Sequence, residues 1–137
     1  MNNLFAYGTL MCEEIMEEVS GIKPDMVKAS LIGYTRQTVR GEHYPAIKPE
    51  EQNDVQGIVY MDLPIEAWER LDRFEGELYV RTQVQAITNH NSIIHADTYV
   101  IHPAHQNCLS EEIWDYEKFL LGGKSHFLNL YRGFSEL

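Results

Sequence analysis

Apolar residues along this chain change their period several times, and each change marks an element. Residues 3–7 (NLFAY) form a short, nearly continuous apolar and aromatic run, which predicts a buried strand. Beyond Gly8 and Thr9, apolar residues return at Leu10, Met11, Ile15 and Val19, close to helical spacing, with Thr9 as the expected N-cap and Gly21 as the expected stop. The chain therefore opens as strand, tight turn, helix. Residues 28–34 and 36–39 predict a second strand region broken at Gly33. Residues 41–49, which carry Pro45 and Pro49, predict a loop with a short extended piece at Ala46 and Ile47. Residues 50–54 are polar and predict a turn, and residues 55–62 (VQGIVYMD) a strand. From Pro64 onward Ile65, Trp68, Leu71 and Phe74 recur every third residue, an amphipathic helix that ends at Gly76. Residues 79–88 alternate as a strand, 89–92 form a turn, and 93–101 supply the hairpin partner. A last helix is expected around IWDYEKFLL, broken by Gly122 and Gly123.

Strands outnumber helices, and the longest regular pair is a hairpin. The pattern predicts an α+β fold, an antiparallel-rich sheet or small barrel with helices outside, rather than alternating parallel α/β. The sequence has no internal repeat, low-complexity run or linker, so its 137 residues are expected to form one domain over 1–137. The formal net charge of -10 argues against a nucleic-acid or anionic-membrane partner, because phosphate binding needs a basic face. The acidic residues are dispersed; EEIMEE and SEEIWDYE read as solvated helix faces. No apolar run approaches the roughly 18 residues of a membrane helix, and MNNLFAYGTL lacks the basic start and apolar stretch of a signal peptide. Cys12 and Cys108 have no CxxC spacing, which fits a reduced, cytoplasmic compartment. Oligomeric state leaves no readable pattern.

Two places could carry chemistry. Tyr7-Gly8-Thr9-Leu10 lies between a strand and a helix; Gly8 permits close backbone approach, and amides at the helix start attract an anion such as a carboxylate. The same feature also serves as an ordinary strand–helix turn in any fold. Glu75 ends an amphipathic helix between Phe74 and Gly76, where desolvation can raise a carboxyl's pKa, and Asp72 lies three residues earlier on the same face. Equally, it is one of 21 acidic residues at a solvated helix end. The histidines show no metal spacing: His102 and His105 are separated by Pro103, His90 and His95 flank a turn, and no HExxH, P-loop, GxGxxG or GxSxG occurs. No metal or cofactor is expected.

In order along the chain, FAYGTL, GYTRQTVRGEHYPAI, VQGIVYMD and LDRFEGELYVRTQV resemble the gamma-glutamylcyclotransferase-like family, in particular its avirulence-induced-gene-like and gamma-glutamylamine cyclotransferase branches. The resemblance covers roughly residues 3–101. It implies a small, mixed but largely antiparallel barrel flanked by helices, with a cavity closed by the YGTL turn. It further implies that the backbone of Tyr7, Gly8, Thr9 and Leu10 holds a glutamyl carboxylate, that Glu75 is the catalytic acid–base, and that Tyr79 and Arg81 lie at the site or support it; Asp72, from its spacing to Glu75, is expected in a supporting place. The implied reaction turns a gamma-glutamyl amine or peptide into 5-oxoproline and a free amine without a cofactor. Transfer of the glutamyl group to an external amine, non-catalytic binding of a small carboxylate, and docking of a basic partner on the acidic surface are the rival readings. The leaving amine is not legible; GEHYPAIKP and HPAHQN are candidates for the rim that would contact it.

Overall fold

A computed structural model of the chain describes residues 2–125 and Phe127. Six strands, β1 (Leu4–Ala6), β2 (Met26–Val39), β3 (Pro45–Tyr60), β4 (Tyr79–Thr88), β5 (Ile93–Ile101) and β6 (Leu109–Ile113), form one sheet in the order β3-β1-β5-β4-β2-β6. A further β2–β3 pairing closes the first five strands into a barrel, with β6 attached along the C-terminal part of β2. The β1–β5 pairing is parallel and the others antiparallel. The barrel and its flanking helices, α1 (Glu13–Ser20) and α2 (Ile65–Glu75), are the expected α+β architecture.

Strand alternation sorts the core into two faces. Phe5 and Tyr7 of the first strand segment, Val55 and Val59 of β3, and Ala96 and Val100 of β5 pack together in one cluster. Their neighbours Leu4, Ala6, Tyr60 and Tyr99 pack instead with Ile15, Met16 and Val19 of α1 and Trp68 and Leu71 of α2. The two helices are tied to each other as well as to the barrel. Arg70 Nε donates to the Val19 carbonyl at 2.7 Å, satisfying one of the orphan carbonyls at the end of α1. Gly21, at φ 82, ends α1 as expected.

Several local expectations are corrected. β2 is not broken at Gly33. It runs on through a bulge, where Gly33 at φ 91 faces residues 50–53 as the register steps from Ile32↔Asp54 to Tyr34↔Pro49. The loop expected at 41–49 and the turn at 50–54 are in large part strand: Ala46, Ile47, Lys48 and Pro49 pair with β2, and the polar residues 50–53 are the bulge's outer arm. Thr9 does not cap α1; it lies in a 3-10 turn, Thr9–Met11, and α1 starts after Cys12. In α2 Ile65 is 70% exposed and Ala67 takes its place in the core, because the helix meets the barrel over less than its full apolar stripe. At the chain's other end Ile113 belongs to β6, and helix α3 (Tyr116–Lys118) begins only after Asp115, whose side chain accepts from the amides of Glu117 and Lys118. Gly122 and Gly123 lie inside a π turn, Phe119–Gly123, rather than breaking the helix. Among the described residues no helix is long and apolar enough to cross a membrane.

β1 and β3 approach each other closely at Gly57. A Cβ there would run into the Ala6 carbonyl oxygen and lie 2.8 Å from the Phe5 ring. Gly57→Ala is therefore expected to lower stability by roughly 2 kcal/mol or more, seen as a reduced urea midpoint at unchanged denaturant slope. An unchanged midpoint would mean that β1 can move away from β3 at little cost.

Candidate active site

β1 stops at Ala6, and the chain turns away from the barrel wall through Gly8. The 3-10 turn that follows is closed by the Met11 amide on the Gly8 carbonyl at 3.0 Å and by the Cys12 amide on that of Thr9 at 3.1 Å. A turn of this kind leaves its first amides, those of Thr9 and Leu10, without a carbonyl partner inside it. The turn is held from both sides. Tyr7 Oη donates to the Tyr99 carbonyl at 2.6 Å, and Tyr60 Oη to the Leu10 carbonyl at 2.6 Å. Gly8 is needed for close approach: a Cβ would come within 2.8 Å of the Pro45 ring.

Opposite this turn lies the end of α2. Gly76, at φ 68 and ψ -155, adopts a backbone that favours glycine, which lets the chain leave the helix sharply after Glu75. A short 3-10 turn, Gly76–Leu78, then delivers Tyr79 to the start of β4. The spacing from Glu75 to Tyr79 thus wraps one corner, with Glu75, Leu78 and Tyr79 on a common wall. Between the two corners is a cavity of about 130 Å³ lined by Tyr7, Gly8, Thr9, Leu10, Phe74, Glu75 and Tyr79, together with Tyr44, Pro45 and Tyr99 among others.

Within that cavity Glu75 is the exceptional group. Desolvation, then the nearby negative charge of Asp72, pushes its pKa from 4.5 to about 8. Among the described residues no hydrogen bond or salt bridge reaches its carboxyl. Tyr7 is also raised well above the ordinary phenol range, by burial and then by Glu75. Glu75 therefore titrates near neutrality, the property required of a group that takes a proton and returns it.

Asp72 and Arg81 stand outside the cavity lining, in a layer behind it. Asp72 accepts from Tyr99 Oη at 2.7 Å and lies 3.7 Å from Arg81 Nη2. Arg81 is itself held 3.8 Å from Asp97 and stacked 4.7 Å over Trp68. The guanidinium faces Asp72 rather than Glu75, so the carboxyl in the cavity keeps its raised pKa. Tyr99 was missed by sequence reasoning. It lines the cavity, contacts Tyr79 and Trp68 through its ring, and joins Tyr7 to Asp72. The alternation of β5 marks the face Tyr99 occupies, but nothing local tells that this face looks onto a cavity. Pro45 and Tyr44 enter through GEHYPAIKP, and Tyr79 Oη donates to the Pro45 carbonyl at 2.8 Å. The other suggested rim segment, HPAHQN, forms a 3-10 turn, Pro103–Cys108, that contributes none of the lining residues. Its His102 Nδ1 accepts from the Ala104 amide at 3.0 Å. Among the described residues no cluster of three or more His, Cys, Asp or Glu side chains is placed to hold a metal ion.

The profile of the family described as gamma-glutamyl cyclotransferase, AIG2-like, matches residues 4–118. AIG2-like protein A of Arabidopsis thaliana is 30% identical over 138 residues, which cover 99% of this chain and 82% of that protein. A second Arabidopsis thaliana protein, solved in solution, superposes with a TM-score of 0.72 at 28% identity, covering 98% of this chain and 91% of its own. A solved structure described as gamma-glutamyl cyclotransferase superposes with a TM-score of 0.66 over 74% of this chain and 66% of its own, at 19% identity, a likeness of fold.

The raised pKa of Glu75 has a consequence for stability. Between pH 4.5, its ordinary value, and about 8 the folded chain binds more protons at this position than the unfolded chain does. Stability therefore falls as pH rises through that window. Glu75→Gln removes the effect. The variant's stability advantage over wild type is expected to grow from about pH 4.5 to about pH 8 and then level off, reaching the order of a few kcal/mol. Paired urea titrations across this range check it; a constant difference would mean that the carboxyl is solvated.

Proposed function

The chain belongs to the gamma-glutamyl cyclotransferase, AIG2-like family, and on that premise we propose that it cyclises gamma-glutamyl amines or peptides, releasing 5-oxoproline and a free amine. The observation that carries the proposal is that Thr9 and Leu10, whose amides have no carbonyl partner within their turn, line the same small cavity as Glu75, whose carboxyl has a pKa raised to about 8 and no hydrogen bond or ion pair among the described residues. The amides bind the α-carboxylate of the glutamyl unit and fold its α-amine back toward its own gamma-carbonyl. The nucleophile comes with the substrate, so the protein's first contribution is proximity. Glu75 takes a proton from the attacking amine as the new C–N bond closes the five-membered ring. The same carboxyl then gives that proton to the departing nitrogen as the original amide C–N bond breaks, and Glu75 ends as it began.

Oxyanion stabilisation falls to backbone amides in this reading. Three of the lining tyrosines have their single hydroxyl proton engaged: Tyr7 on the Tyr99 carbonyl, Tyr79 on the Pro45 carbonyl and Tyr99 on Asp72. Asp72 and Arg81 act through Glu75 and Tyr99 rather than on substrate. A reducing, cytoplasmic setting belongs to the same proposal and is supported by the unpaired Cys12 and Cys108.

A screen of gamma-glutamyl amines and dipeptides for 5-oxoproline release tests the proposal. Glu75→Gln is expected to abolish release while ligand binding survives. Full turnover by that variant removes Glu75 from its role, and a gamma-glutamyl adduct in place of 5-oxoproline points to transfer to an external amine. In the wild type kcat/KM is expected to rise with pH toward a limb near pH 8, as the Glu75 carboxylate forms. Asp72→Asn takes away the neighbouring charge. It is expected to move that limb to lower pH with only a mild loss at its plateau; an unmoved limb would mean that another group titrates.

A further inference from the structure

The β1–β3 ladder pairs Leu4 with Tyr60, Phe5 with Val59 and Ala6 with Ile58. Continued by two residues, the same register would set Gly8 opposite Gln56. The ladder stops instead, although β3 itself extends well past Gln56, which pairs with Ser30 on its other side. The Gln56 carbonyl does not go unpaired. Arg36, reaching over from β2, donates from Nη1 to this carbonyl at 3.1 Å and to that of Tyr7 at 2.7 Å. One guanidinium N–H group thus occupies the place where the next rung of the ladder would form.

A trans peptide carries its C=O and N–H on opposite sides. Arg36 draws the Tyr7 carbonyl toward itself, so the Gly8 N–H of the same peptide is turned away from Arg36. Gly8 lines the cavity and Arg36 does not. Among the described residues no hydrogen bond uses the Gly8 amide. The guanidinium is fixed where it stands. It lies 5.3 Å over the Trp114 ring, whose Nε1 donates to the His43 carbonyl at 2.9 Å. Among the described residues the buried Arg36 Nε has no partner, an unfavourable arrangement that an arginine placed only for stability would not need.

The geometry points to Arg36 as a positioning residue that ends the β1–β3 ladder and holds the Tyr7–Gly8 peptide with its N–H toward the substrate's α-carboxylate, as a third amide beside those of Thr9 and Leu10. The inference rests on the cyclotransferase reading for the identity of the ligand. The positive charge behind the peptide also polarises it, making Gly8 a stronger donor. The contact is made alike in ground state and transition state, so its loss is expected in KM rather than in kcat.

Backbone NMR on the full chain gives a first test that needs no variant. In the free wild type the Gly8 amide is expected to exchange with solvent without the protection of the neighbouring ladder amides, and its resonance to move when L-glutamate is added. A protected Gly8 amide, or one that glutamate leaves in place, overturns the proposal. In Arg36→Met the Gln56 carbonyl is freed, and Gly8 is expected to gain protection as the ladder adds its next rung. KM for a gamma-glutamyl substrate is expected to rise about 10- to 100-fold while kcat changes less than about threefold. Arg36→Lys restores an N–H donor and is expected to bring KM back to within about threefold of wild type. A fall in kcat at unchanged KM, together with a lower melting temperature, would make Arg36 a structural residue only and overturn the proposal. If no gamma-glutamyl compound yields 5-oxoproline while Gly8 responds to glutamate as stated, the cyclotransferase reading falls and the assignment of Arg36 stands.

Discussion

Closure of the barrel depends on a strand of three residues. β1 lies between β3 and β5 and supplies the one parallel pairing among the described strands, so without residues 4–6 the sheet would stay open between them. So short a strand has little ladder of its own, and its position is secured by other means. Asn3 bonds the His95 carbonyl and the Asp62 amide through its side chain, and Thr98 Oγ1 donates to the Phe5 carbonyl. Gly57 lets β3 come close enough to complete the pairing. The brevity of β1 has its own use. Had it continued beyond Ala6 in the same register, Gly8, which lines the cavity, would have been paired with β3.

Burying a carboxyl beside that turn is the second demand the fold meets. Burial of an unpaired acid is unfavourable at neutral pH unless the acid keeps its proton, and here desolvation keeps the Glu75 proton until pH about 8. Strong cations stand near but are engaged elsewhere. Arg81 is held by Asp72, Asp97 and the Trp68 ring, and Arg36 by two backbone carbonyls and the Trp114 ring. Structural ion pairing is kept to the layer behind the cavity, and among the described residues no hydrogen bond or ion pair reaches the Glu75 carboxyl. Tyr99 links the two layers, its carbonyl accepting from Tyr7 and its hydroxyl donating to Asp72.

Much of the architecture was legible in the residues. The apolar run at 3–7, the helix from Pro64 to Gly76 and the hairpin over 79–101 are set by local periodicity and by glycine or turn residues at their ends. The resemblance carried by YGTL and by the Glu75–Gly76 to Arg81 pattern implies one shared site for Tyr7, Gly8, Thr9, Leu10, Glu75 and Tyr79, and these residues all line the cavity, whereas Tyr99 has no such local mark. Expectations failed where a local signal had a non-local competitor. Gly33 and the polar residues 50–53 look like breaks, but long pairing between β2 and β3 absorbs them as a bulge. Ile113 and Trp114 look helical, but β6 takes the first into the sheet, and the second is held under Arg36 by a bond to His43.

The sequence by itself determined the strands at 4–6, 79–88 and 93–101, the two flanking helices and the end of α2 at Gly76, because these depend on side-chain period and backbone preference within a few residues. It also determined that an acid follows the last core residue of α2. Only the tertiary structure decided that this acid meets the YGTL turn, since Tyr7 and Tyr99 touch across 92 positions of chain and Tyr7 and Arg36 across 29. The pKa of Glu75, the burial of Tyr99 and the early end of the β1–β3 ladder all arise from such contacts. Their strength depends on exclusion of water and on what lies opposite in space, and neither is written in the order of neighbouring residues.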